Sequence, residues 1–551
     1  MEVTSKNDLN DFSQLNVLII DDNRLIHDFM KSTFFGLGFQ NVKCAETAFY
    51  GLRLCDEMPF HIIICSFNIK SDKDGFHLLE ELKFKGHVKK TTILIFLSTQ
   101  TSESLVNSIV ELQPDDFWVK PLSPKLVSDR LHQTIELKKT LFSIYYSIDH
   151  KDFAKVIYYA DRHFQDNELV KYHANILRMK GEALLSLLEY KEAELFFKQL
   201  ITKYDYAWVH VGYVKSLLKQ GRINDIHQLV TTLMKKPDTR FAMHDMLAQY
   251  YLEQEEFELA YDEIKKATAL SPRNIERNKK AWDLARLNHD HMGQYVATRN
   301  IAQQAKNSIH DSPVLLLNVI RSGIDLACTI TDDSSDKILG QVEGFMRKLE
   351  ADYVDASDFK EQLIVAQARL HNVRNEKDLA TRLVQTHINL RPSPLIEDNL
   401  DKVKVFHELG MREEAIALLG AVKNQIAGDS LSSEVINKYV DQEAGERSEI
   451  HFTPKQLNSM AVELFQKNKL QPALDSVVQA LQLAPKNIKL LFSIFKILIV
   501  IKKQGEADAS HDELADKIIG LLESFNLDER RLDAYKSLKA KWDADSDKTV
   551  H

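Results

Sequence analysis

Four short apolar runs, each ending in a residue with chemistry to offer, constrain this chain more than anything else in it. NVLII ends in the acidic pair Asp21-Asp22, HIIIC runs into Ser66, ILIFL ends at Ser98, and DFWV ends in Lys120-Pro121. Between them lie longer stretches with helical periodicity, and the alternation continues through Lys138. Short buried strands alternating with amphipathic helices predict an α/β domain, a parallel sheet covered by helices. Open sheets of this kind collect their functional groups at the carboxyl ends of the strands. Asp21, Asp22, Ser66, Ser98 and Lys120 are therefore expected to converge, although they are far apart in sequence.

Each residue offers a role by physical type. Two adjacent carboxylates beside a backbone carbonyl make an oxygen-rich site for Mg2+. A hydroxyl at such a strand end is a hydrogen-bond donor and acceptor, and a lysine ammonium brings a compact positive charge. The order and spacing of these features resemble the receiver domains of two-component response regulators over residues 15–138, which implies a flavodoxin-like α/β fold, a doubly wound five-stranded parallel sheet. The resemblance implies that Asp21, Asp22 and the carbonyl of Asn68 hold the metal, that Ser98 is the switch hydroxyl, and that Phe117 is the rotating aromatic. It further implies that Lys120 pairs with the acceptor and that Lys120-Pro121 is a cis peptide.

The acceptor itself is missing. In that family the third strand ends in the aspartate that takes phosphate from a histidine kinase, whereas CSFNI offers Cys65 or Ser66 and no carboxylate. Counting six residues on from Pro59 puts Cys65 at the acceptor position. Matching SFNIK to the family's Asp-x-Asn-Met-Pro puts Ser66 there, with one extra residue before Asp74-Gly75, and this register is preferred. Phosphoryl transfer from histidine needs an anionic oxygen beside the metal, which a serine hydroxyl at neutral pH is not. Loss of one of three anionic ligands also weakens the Mg2+ site. The retained Asp21, Asp22 and Lys120 are then either a weakened metal site or a salt-bridged remnant, with Lys120 pairing with Asp21 or Asp22. Asp72 and Asp74 are the candidates for a displaced acceptor.

From Lys139 strand signals stop, and self-similarity appears at a period of about 34 residues. The clearest copies span Phe241–Asn274, Pro454–Asn487 and Ala174–Ala207. In the first, Leu247, Ala248, Tyr251, Phe257, Ala260, Ala267 and Pro272 fall at the spacing of the tetratricopeptide signature. Small residues at fixed points let paired helices approach closely, and proline ends the second helix. An all-α repeat solenoid is expected, with a surface that binds other proteins. The polar positions on the inner helices, Asn175, Arg178, Asp245, Gln249, Lys455 and Asn458, are the partner-binding candidates. The expected organisation is a tail at 1–14, the receiver at 15–138, a repeat array at 139–440, a hinge at 441–453, a terminal repeat with capping helices at 454–542, and a tail at 543–551. The apolar segment Ile488–Lys503 is expected to be a buried cap. The join near Lys138–Tyr146 reads as continuous helix.

A formal charge of −9 spread along the chain disfavours nucleic acid as a partner. The longest apolar run, Leu490–Ile501, is broken by Lys496 and falls short of the ~20 residues of a membrane span. Four cysteines without paired or metal-ligand spacing fit a reducing cytoplasm, and residues 1–14 carry no signal peptide. Phosphate-loop, zinc-protease, serine-hydrolase and helix-turn-helix patterns are absent, so neither catalysis nor DNA binding is expected as the output. The whole arrangement resembles the response regulators with tetratricopeptide repeats found in gamma-proteobacteria, the VieB-type auxiliary regulators. That resemblance implies a cytoplasmic, non-enzymatic phosphorelay protein. It acts by binding a sensor histidine kinase or another response regulator, and inhibits phosphotransfer between them. A phosphorylation-switched adaptor, using a displaced aspartate to control the repeat groove, is the alternative.

Overall fold

The computed structural model describes residues 11–69, 73–100, 102–330, 334–353, 359–426, 431–450, 452–485, 487–525, 527 and 529–546. The chain divides into two compact units, Met1–Arg277 with Gln304–Asp311, and Asn278–Gln303 with Ser312–His551.

The first unit opens with a five-stranded, all-parallel sheet. Its strands are β1 (Asn16–Ile20), β2 (Asn41–Ala45), β3 (Ile62–Ser66), β4 (Ile93–Ser98) and β5 (Asp116–Val119), in the order β2-β1-β3-β4-β5. The helices are α1 (Arg24–Gly36), α2 (Ala48–Glu57), α3 (Gly75–Phe84), α4 (Glu103–Leu112) and α5 (Pro124–Thr140). Side chains alternate across each strand, so each apolar run feeds both faces. Ile62 and Ile64 pack with Met30 and Phe34 of α1 and Val127 and Leu131 of α5. Ile63 and Cys65 pack on the other face with Leu52 of α2, Leu79 of α3 and Ile109 of α4. Local chemistry starts the helices: side chains of Asn23, Thr47, Asp74 and Ser123 accept from the first-turn N–H groups of α1, α2, α3 and α5.

Helix pairs follow. They are α6 (Phe142–Asp149) with α7 (Phe153–Phe164), α8 (His173–Ser186) with α9 (Tyr190–Ile201), α10 (Ala207–Leu218) with the short α11 (His227–Leu233), and α12 (Pro237–Glu253) with α13 (Phe257–Leu270). Packing explains the small residues at the repeat positions. A methyl group on Gly181 or Gly212 would lie within 2.5 Å or 2.3 Å of the buried Phe197 ring. The ring therefore fits only because both neighbouring helices present a bare backbone. The join to the sheet is not one continuous helix: α5 ends at Thr140 and α6 begins at Phe142. It is nevertheless tied down. Buried Lys138 pairs with Asp115 at 2.8 Å. Asp149 accepts from the Thr91 N–H at 2.9 Å and the Thr91 hydroxyl at 2.8 Å.

The second unit is helical throughout its described residues, with pairs such as Pro313–Thr329 with Ser334–Asp352, Lys360–Val373 with Lys377–His387, and Ile396–Leu409 with Arg412–Gln425. Pro454–Gln466 pairs with Leu470–Leu483, the copy seen in the sequence. Helix Ile488–Lys503 buries Leu490, Ile494, Phe495 and Leu498 against Ala515, Ile518 and Trp542 of the last two helices, so its apolar surface is spent internally. The stretch expected as a hinge is different. Residues 441–449 belong to the helix Leu431–Glu449. Their charges, which read as a solvated linker, are paired inside the fold: Glu443 accepts from Arg447 and from the Tyr439 hydroxyl at 2.9 Å.

Candidate functional site

Strand ends assemble the pocket. Asp21 follows β1 and is fully buried. Its carboxylate accepts from the Asn23 N–H at 2.9 Å and from the Lys120 ammonium at 2.5 Å. Ser66, the last residue of β3, is 3% exposed, and its hydroxyl lies 3.4 Å from the same ammonium. Lys120 thus bridges the first and third strand ends from the end of β5, across a cis Lys120-Pro121 peptide. Of the two chemically possible acceptor positions, the geometry brings Ser66 to the lysine. Cys65 points the other way, into the core shared with α2 and α3, and burial pushes its thiol well above its ordinary range.

The remaining residues sit around this centre. Asp22 is exposed and Asn68 is half-buried. Ser98 is buried, and its hydroxyl turns along its own loop: it donates to the Gln100 carbonyl and accepts from the Gln100 N–H, both at 3.0 Å. Phe117 on β5 is half-buried and packs on the α2–α4 side of the core. Of the displaced-acceptor candidates, Asp72 lies outside the described residues. Asp74 is occupied twice: it caps α3 by accepting from the His77 N–H at 3.0 Å, and it pairs with Arg273 of the repeat region. Gly75 follows it because nothing larger fits; a methyl group there would lie 2.0 Å from the Ser66 carbonyl oxygen.

A divalent cation fits this donor set poorly. Among the described residues no group of three or more His, Cys, Asp or Glu side chains has the geometry to hold a metal. The one buried carboxylate, Asp21, already carries an ammonium. What the arrangement offers is a pocket at the strand ends with a neutral hydroxyl, that of Ser66, beside the lysine.

The repeat-surface candidates do not form one cluster. Asn175 and Arg178 are exposed on α8, with Arg178 donating to Glu182 at 2.9 Å. On α12, Gln249 donates to Glu253 at 3.0 Å, and Asp245 accepts from Arg277 Nε at 2.8 Å. In the second unit Lys455 donates to the Val373 carbonyl at 3.2 Å, and Asn458 is half-buried. Polar residues elsewhere in that unit are also turned inward. Arg369, 1% exposed, bonds Asp325, Asp401 and Glu408, each at 2.7 Å. Removing one partner of such a buried network is strongly destabilising, because it strands the other charge out of water.

Sequence reasoning missed Arg273 and Arg277. Their signal was PRNIER, just after the proline that ends the repeat: Arg273 lies in the turn before the helix Ile275–Leu287, and Arg277 lies in the first turn of that helix.

Residues 17–132 match the response regulator receiver domain family. Over 110 residues the chain is 26% identical to a probable chemotaxis protein CheY of Rhizobium etli, an alignment covering 20% of this chain and 84% of that protein. Solved structures it resembles include the chemotaxis response regulator CheY4 of Vibrio cholerae, at 22% identity over 22% of this chain and 98% of that one, with a TM-score of 0.21. Another is the APC/C hetero-tetramer Cut9-Hcn1, at 14% identity over 72% of this chain and 94% of that one, with a TM-score of 0.27.

Proposed function

We infer that this chain, which carries a response regulator receiver domain at residues 17–132, is a phosphorelay signalling protein whose receiver does not accept phosphate. It acts by binding. The receiver supplies a shape that a sensor histidine kinase or phosphotransfer domain already recognises. The repeats hold that kinase or its cognate response regulator, and phosphotransfer between the two is inhibited. This is the role implied by the resemblance to VieB-type auxiliary regulators. The observation that carries the reading is the Ser66 hydroxyl 3.4 Å from the Lys120 ammonium, where a carboxylate nucleophile would be required. Mg2+ binding is expected to be weak, through Asp21, Asp22 and the Asn68 carbonyl, and no step depends on it. The protein is not itself an enzyme in this reading. No described helix is long and apolar enough to cross a membrane, and a cytoplasmic site of action is proposed from the partners.

The alternative, a displaced acceptor that switches the repeat groove, is disfavoured for Asp74 by its pairing with Arg273 and rests on Asp72. One experiment separates them. A histidine kinase from the same operon is phosphorylated with radiolabelled ATP and mixed with its cognate regulator, with and without the full-length chain. Slower labelling of the regulator while this chain stays unlabelled supports the inhibitor. Label on this chain supports the switch.

A further inference from the structure

The first unit contains a junction in which charge is sorted by side. On the receiver, α3 and α4 present Asp74, Glu80, Glu103 and Glu111. Facing them, α12 presents Arg240, the turn after α13 Arg273, the first turn of the helix Ile275–Leu287 Arg277, and the segment Gln304–Asp311 His310. Every pairing runs in one direction: Arg240–Glu103 at 2.5 Å, Arg273–Asp74, Arg277–Glu111, and His310 3.5 Å from Glu80. Arg277 is the anchor. It is 5% exposed, and its guanidinium also bonds Asp245 at 2.8 Å and lies over the Phe241 ring at 4.6 Å. Burial opposes its charge, but Glu111 and Asp245 more than offset this and hold its pKa above the usual arginine value.

The junction is polar by construction. Leu105, Ile109 and Leu112 of α4 sink into the receiver core, whereas Met243 and Leu247 of α12 sink into the repeat's own core. What α4 turns toward the repeats is the opposite face, with Glu103 and Glu111 two turns apart and Ser108 between them. The Ser108 hydroxyl lies 3.4 Å from that of Ser271, and both residues are fully buried. Interfaces within a chain that are not large and hydrophobic resemble transient ones, and salt weakens their more exposed pairs, here Arg240–Glu103 and Arg273–Asp74, more than the buried Arg277–Glu111. The junction also reaches the pocket. Arg273 holds Asp74 and lies over the Phe67 ring at 4.6 Å, and Phe67 and Gly75 both adjoin Ser66.

We propose that the basic strip Arg240–Arg273–Arg277 is a docking site for an acidic helix, and that its resident occupant is this chain's own α4, held as a releasable electrostatic latch. While the latch is closed, neither the outer face of α4 nor the strip is open to another protein. A partner helix with acids at the spacing of Glu103 and Glu111 competes for the strip. The inference stands on the junction alone and does not need the kinase-binding role.

The test uses the full-length chain with Ser108→Cys and Ser271→Cys. The effective concentration of the two thiols is measured by equilibration with glutathione, which reports the closed population. In the unaltered background the disulfide forms readily, and high salt lowers the effective concentration. Adding Arg277→Glu lowers it by about tenfold or more, as expected for reversing a desolvated charge partner. Adding Glu111→Arg to that variant restores most of the loss, because the pair is re-formed with its signs exchanged. The latch is overturned if Arg277→Glu leaves the effective concentration unchanged, if the exchanged pair recovers nothing, or if the thiols fail to pair in low salt while the circular dichroism of the chain is intact.

Discussion

Replacing Lys120 with methionine tests whether the retained pocket charges support the fold. Asp21 is fully buried and Lys120 is 15% exposed, so their contact is screened little by water. Methionine keeps most of the stem's volume and removes the ammonium. Asp21 then holds a buried negative charge, with the Asn23 N–H still donating to it. Breaking one side of a buried pair costs about 3–5 kcal/mol, and the slight exposure of Lys120 argues for about 3 kcal/mol. That corresponds to roughly a hundredfold increase in the open population of the receiver. Hydrogen exchange on the intact chain reads it directly, because amides of β1 and β3 exchange only when the sheet opens. Their protection should fall by about two orders of magnitude in Lys120→Met, while helices of the second unit are unaffected. Adding Asp21→Asn removes the stranded charge and should recover most of the loss. A change of less than about threefold in the single variant, or no recovery in the double, would refute the reasoning.

Other consequences are simpler. Gly75→Ala forces a methyl group to 2.0 Å from the Ser66 carbonyl oxygen and 3.0 Å from Phe67 Cα, all backbone atoms. It should destabilise the receiver by about 2–3 kcal/mol in urea unfolding followed by the buried Trp118. Gly340→Ala, in a helix with no heavy atom within 4 Å of the added carbon, should instead stabilise the chain by about 0.5–1 kcal/mol. Glu446 faces Glu443, Arg447, Lys404, Gln442 and His289, and burial followed by Glu443 raises its carboxyl to about 7. A folded carboxyl that binds its proton more tightly than the unfolded one loses stability as pH rises from its unfolded value, near 4.5, through about 7. Glu446→Gln should therefore match the wild type at about pH 4, below the unfolded value, and exceed it by about 1–3 kcal/mol at about pH 8, measured by urea unfolding. Equal stabilities at both pH values would contradict this.

The receiver was legible because its strands are short apolar runs with functional residues at their ends. Four of the five strands follow from that pattern; β2, NVKCA, is not an apolar run and was not among them, and the pairing of Lys120 was left open between Asp21 and Asp22. The choice between Cys65 and Ser66 did not follow from counting, since an extra residue precedes Asp74. The structure adds that the two side chains take opposite faces of β3, Ser66 toward Lys120 and Cys65 into the core. In the repeats, the sequence placed helix pairs by their small residues, as Gly181 and Gly212 around Phe197 illustrate. It did not show the helix over 441–449, which looked like a linker, because composition does not reveal whether a charge meets water or a partner. The contact between Glu111 and Arg277 spans 166 residues, and no local pattern announces such a meeting.

The most direct measurement is phosphate incorporation into the purified full-length chain from radiolabelled acetyl phosphate with Mg2+, beside Ser66→Asp. The vacant acceptor predicts no label on the wild type above a denatured control, and label on the aspartate variant that hydroxylamine removes. Stoichiometric, hydroxylamine-labile label on the wild type would contradict it and show that another carboxylate of this receiver takes the phosphate.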